Sequence, residues 1–136
     1  MKLLKIIVFI LFTNLSFSQN VDKIVETIIQ KSFDSEKISK YFHEEIAGRS
    51  PLIILDNSKV FKKIKLTKFN KPVKILTEKE ISKQKIVAYI EFKYILTEKE
   101  HGSVSFKYII EGIEATVDFK KKEGEWEISK TEVVEN

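Results

Sequence analysis

The stretch IVAYIEFKYIL, Ile86–Leu96, decides how this chain reads. Ile86, Ala88, Ile90, Phe92, Tyr94 and Leu96 share one parity. A two-residue period marks a strand with one face buried. The same alternation continues downstream: Val104, Phe106, Tyr108 and Ile110, then Ile113, Ala115, Val117 and Phe119. Trp126 and Ile128, followed after a break of phase by Val133 and Val134, make a fourth run. Gly102, Gly112 and Gly124 fall near the three junctions, where a tight turn often needs positive φ. Connections this short imply an antiparallel meander. Its apolar face needs a cover.

The cover is predicted upstream. Val21, Ile24, Val25, Ile28, Ile29 and Phe33 follow the spacing of one helix face. Asp34 and Ser35 can cap a second helix with Ile38, Tyr41 and Phe42 inside, ending near Gly48 and barred by Pro51. Leu52–Leu55 reads as a buried strand or a packed loop. Ile64 and Leu66, then Val73 and Ile75, alternate with polar residues, mostly lysines, beyond it.

The hexamer ILTEKE occurs twice, as Ile75–Glu80 and Ile95–Glu100. Both copies carry the T-x-x-E spacing of a capping box. The first is followed by Ile81-Ser82-Lys83, which permits a helical turn, and the second by His101-Gly102 and a new strand. Nothing outside the hexamer repeats, so it is a strand exit and charged turn used twice, not a repeat unit.

Met1–Lys5 is basic, Ile6–Phe12 is apolar, and Ser16-Phe17-Ser18 supplies small residues for cleavage before Gln19. That is the pattern of a secretory signal peptide over 1–18, followed by a single domain over 19–136. The expected location is secreted or periplasmic, without a permanent membrane span. The chain has no cysteine, which removes disulfides, thiolate metal sites and a lipid-modified cysteine. The net charge of +4 falls to +2 without Lys2 and Lys5. Of 24 basic residues only Arg49 is an arginine, which argues against sequence-specific nucleic-acid readout.

Chemistry-bearing motifs are sparse. His43-Glu44-Glu45-Ile46-Ala47 begins like a zinc-protease helix but has Ala47 where the second histidine belongs. No metal site and no cofactor are expected. No nucleophile elbow or glycine-rich phosphate loop occurs, and no catalytic residue is assigned. If a cavity lies between helix and sheet, His43, Tyr41, Tyr94 and Tyr108 are the candidates to line it, since imidazole titrates near neutrality and buried tyrosine hydroxyls need partners. Ser58–Thr77 holds seven lysines and no acid. Lys62, Lys63, Lys65 and Lys68 there form a candidate surface for an anionic partner, although alternation with apolar residues favours a solvated face that guards a strand edge.

Two helices, an irregular segment and a curved antiparallel sheet ending in Gly124-Glu125-Trp126-Glu127-Ile128 resemble a cystatin-like α+β roll. Within that class the chain resembles the nuclear-transport-factor-two-like, or ketosteroid-isomerase-like, superfamily. Lys71–Leu76 with Ile110-Glu111-Gly112 and Trp126 is also similar to small secreted proteins of Bacteroidota. The resemblance implies N-terminal helices on a curved sheet; it does not decide function, because the superfamily spans enzymes, immunity proteins and binding modules. Its enzymes place an aspartate or histidine inside the cone, whereas Asp118 is out of phase with the core. The expectation is a non-enzymatic envelope binding module for a small ligand, glycan or protein. The alternatives are an isomerase or dehydratase and an inhibitor or immunity protein. A homodimer through the outer sheet face, carrying Val87, Tyr89 and Ile95, is a further expectation.

Overall fold

A computed structural model describes residues 21–136. The signal peptide expected over 1–18 lies outside the described residues. Among these, no helix is long and apolar enough to cross a membrane. The protein is α+β. Residues 21–34 form helix α1, and a short α2 spans Glu36–Ser39. Strands β1 (Ile53–Leu55), β2 (Thr67–Lys68), β3 (Lys71–Pro72) and β4 (Lys74–Leu76) precede helix α3 (Glu78–Lys83). The chain ends in β5 (Ile90–Thr97), β6 (His101–Tyr108), a 3-10 turn (Ile109–Glu111), β7 (Ile113–Lys122) and β8 (Glu125–Glu135).

β5 to β8 form the expected antiparallel meander. The sheet is larger than that, with strand order β4-β1-β5-β6-β7-β8. β1 lies parallel to both β4 and β5, so Ile53–Leu55 of the apolar run is an internal strand. The lysine-rich 62–66 segment is not a strand, yet Ile64 and Leu66 are buried between exposed lysines. β2 and β3 close a hairpin over Phe69 and Asn70, with φ of 57° and 60°. A phenylalanine in that region is strained by about 1–3 kcal/mol. Packing of its ring edge-on to Phe42, at 6.5 Å, offsets the strain. Gln30 of α1 holds the hairpin as a strand would: its amide accepts from the Thr67 N–H at 3.0 Å and donates to the Thr67 carbonyl at 2.8 Å.

Three sequence expectations need correction. The second helix stops at Ser39, and Tyr41 and Phe42 follow it in a turn. His43 has φ of +50°, and Glu44–Gly48 are exposed, so no buried face exists to prolong a helix. Gly102, the second residue of β6 just after the hairpin, does not take the positive φ expected of a turn glycine; a Cβ there would meet Trp126 at 3.6 Å and Ile28 at 3.7 Å, so it permits the close approach of α1 to the sheet. Most consequentially, β5 carries a bulge between Phe92 and Tyr94. Lys93 is the extra residue, and the parity flips after it. Tyr94 and Leu96 turn outward, 40% and 57% exposed, while Ile95 packs on the core instead of lying on the outer face.

The two hexamers fold differently. Thr77 caps α3 in a full capping box with Glu80. Thr97 ends β5, and Glu98 donates its N–H to the His101 carbonyl in a hairpin.

The space between α1 and the sheet is filled by rings. Phe33 lies 5.8 Å from Phe42 and 5.6 Å from Phe106, both edge-on. Phe92 is 5.5 Å from Phe106 and 5.0 Å from Phe61, and Phe42 is 5.3 Å from Tyr108. Such pairs add about 0.5–1.5 kcal/mol each beyond the apolar area they bury. Lys31 of α1 ties the helix to β8 by donating to the Trp126 carbonyl at 2.5 Å.

Candidate functional site

Three of the four pocket candidates converge on one corner, where the 41–51 loop meets the 3-10 turn and the end of β8. Tyr41 donates its hydroxyl to Glu135 at 3.1 Å. That bond, with burial and the Glu135 and Glu111 charges, raises its pKa above 10.0. His43 places Nδ1 3.2 Å from Glu45 and Nε2 3.6 Å from Glu111. Tyr108 is 1% exposed, and its hydroxyl has no hydrogen-bond partner. Tyr94, the fourth candidate, is not in this corner; the β5 bulge sends it to the opposite face of the sheet.

The residue at the centre is Arg49. Its guanidinium donates to Glu111 at 2.6 Å, with the two side chains only 12% and 24% exposed. It also lies 5.9 Å from the centre of the Tyr108 ring, a cation–π distance. Burial works against the arginine's charge, but the Glu111 carboxylate and Tyr108 hydroxyl beside it hold its pKa above the ordinary value. For Tyr108, burial dominates and raises the pKa, with Arg49 pulling the other way. The guanidinium is near enough to act on the hydroxyl, yet makes no well-formed hydrogen bond to it. Ser50 contributes a second buried hydroxyl without a partner.

Glu111 is therefore shared between one arginine and one histidine, and its charge is already matched. The cluster fastens a loop onto the sheet; it contains no paired nucleophile and base. Among the described residues no group of three or more His, Asp or Glu could hold a metal ion. The sequence hint at this corner was the lone Arg49, but its partner is 62 positions away.

Replacing Tyr108 with phenylalanine separates the hydroxyl from the ring. We expect stability to rise by about 1 kcal/mol near neutral pH, since an unpaired buried hydroxyl costs about that much. The variant should also lose less stability in alkali. A tyrosine with a raised folded-state pKa contributes stability that is full below 10.0 and lost as pH rises through the folded value. Urea titrations at neutral pH and above pH 10 check both arms; a destabilised variant would contradict the unpaired hydroxyl.

The lysine band is only partly free. Lys62, Lys63 and Lys65 are exposed. Lys68 is not: its side chain is 11% exposed, pairs with Asp34 at 3.3 Å and lies over the Phe69 ring at 5.1 Å. The outer sheet face is polar at its centre. Ser103 donates to Asp118 at 2.7 Å, and Ser105 bonds Thr116. Lys93 pairs with Glu114 across the same face.

No family model, curated protein or solved structure matches this chain.

Proposed function

We propose that the protein is a non-enzymatic binding module of the cell envelope, built as a cystatin-like roll of the nuclear-transport-factor-two-like kind. It meets an anionic partner through the exposed lysines of the 58–74 segment. The observation that carries this is the filled interior: Phe33, Phe42, Phe92, Phe106 and Tyr108 occupy the space where a roll-type enzyme would hold substrate. An isomerase or dehydratase needs a concave site with an available acid or base. Here His43 is engaged with two carboxylates in a loop. An exposed band of one sign, by contrast, accelerates encounter with an opposite charge and works without a cavity.

The test is retention on a heparin resin in a salt gradient. Neutralising Lys62, Lys63 and Lys65 together to glutamine should weaken binding about tenfold, on a fraction of a kcal/mol per exposed charge. Elution unchanged by the triple substitution would overturn the assignment of the surface.

A further inference from the structure

β5 loses its neighbour early. It pairs with β1 at one position only, Ile54 opposite Ile90. β1 ends at Leu55, and Asp56 then draws the chain out of the sheet. The Asp56 carboxylate is buried and accepts from the N–H groups of Ser58, Val60 and Phe61 at 3.1, 3.3 and 3.0 Å. From Glu91 to Thr97, β5 has β6 on one side and, among the described residues, no strand on the other. The gap is a cleft of about 400 Å³ between that edge and the 56–61 loop.

An open strand edge presents spare N–H and C=O groups in the spacing that another strand requires. The cleft supplies apolar walls as well. Phe61 and Ile95 lie on its inner side, Tyr94 on its outer side, and Val60 is 57% exposed within it. Tyr94 and Ile95 lie on opposite faces of the edge, and the bulge is what turns Ile95 inward and Tyr94 outward. A strand laid in the gap would therefore bury alternate side chains against each. Charge narrows the occupant further. Lys59, Lys62 and Lys63 are exposed in and just beyond the loop, and Ser58–Thr77 contains no acid. Two acids also line the cleft: the Asp56 carboxylate is taken up by the backbone N–H groups of its own turn, and Glu91 stands opposite Lys107 in the β5–β6 register.

We propose that this gap takes an extended acidic segment of a partner protein, which adds as a strand to the open edge of β5. This deepens the binding-module reading and rests on it.

The experiment uses the purified protein and a synthetic peptide of about ten residues alternating glutamate with valine, a length matched to strand addition. At saturation, amide hydrogen exchange on the open side of residues 91–97 should slow about tenfold, because those N–H groups gain acceptors. Changing Lys59, Lys62 and Lys63 to glutamine should weaken peptide binding about tenfold, again from the loss of three exposed charges. A peptide alternating lysine with valine should not bind. Charge-dependent binding that leaves exchange at 91–97 unchanged would overturn strand addition while leaving the lysine surface intact. Maltotriose slowing these amides where the acidic peptide does not would assign the cleft to a saccharide and overturn the proposal. So would the absence of peptide binding at millimolar concentration in a protein that still binds heparin.

Discussion

Replacing Phe33 with alanine lowers stability by about 3–5 kcal/mol, the range for deleting a fully buried aromatic side chain. Phe33 is 0% exposed and contacts three other rings, Phe42, Phe106 and Phe92, at 5.8, 5.6 and 6.3 Å. The loss has two parts: the transfer energy of the missing ring, and a cavity that its neighbours cannot close. They cannot close it because each is already held by a further ring or by the sheet. Phe33→Leu retains most of the volume and should cost about 1–1.5 kcal/mol, as volume-conserving exchanges do. Urea unfolding of both variants measures the difference. A cost for Phe33→Ala below about 1 kcal/mol would mean that the rings leave slack, contrary to close-packed interiors.

Replacing Asp56 with alanine has the second-largest expected effect, about 2–3 kcal/mol, from the desolvated donors it would leave behind. Its carboxylate organises residues 56–61 through three backbone N–H groups and the Ser58 hydroxyl. The Phe61 N–H is the costly one, because that bond is buried. Loss of the turn would release Phe61 from its place 5.0 Å from Phe92 and remove one wall of the cleft beside β5. Asp56→Ala should thus weaken acidic-peptide binding as well as stability. Exposed Glu125 changed to alanine should do neither beyond about 0.5 kcal/mol, the usual range at the surface. Thermal unfolding and peptide titration on the two variants separate these effects; equal behaviour would remove the structural role assigned to Asp56.

The meander was legible because its period survives in single residues: Val104, Phe106 and Tyr108, or Ala115, Val117 and Phe119, cannot all be inside in any other arrangement. The first helix was legible for the same reason. The bulge at Lys93 was not. One inserted residue preserves the local alternation on each side, so Ile86–Leu96 looks continuous although Tyr94 and Ile95 exchange faces. Strand β1 was ambiguous because three residues are too few to show a period, and its parallel partners β4 and β5 lie far along the chain. Gln30 at Thr67 and Arg49 at Glu111 are long-range polar contacts with no periodic signature. Of the candidate pocket, Tyr41, His43 and Tyr108 do share a corner, because the loop after α2 folds back over the end of the sheet. They meet around an ion pair and not around an open cavity.

The lysine surface illustrates a further limit. Sequence shows the charge run but not which ammonium groups are already engaged. Lys68 is spent on Asp34 and Phe69, while Lys62, Lys63 and Lys65 remain exposed. Clamping of the hairpin to α1 decides this, and that clamp depends on Gln30 and Asp34 in a distant segment.

The measurement that tests the central claim most directly is a residue-resolved NMR titration of the protein with a short heparin oligosaccharide at low salt, where surface charge acts at longest range. Surface binding through the lysine band predicts that perturbed amides concentrate between Ser58 and Lys74 and that the ring resonances of Phe33 and Phe106 stay in place. Perturbation centred on Phe33, Phe106 and Tyr108, with the 58–74 segment unmoved, would contradict it and return the search for function to the interior.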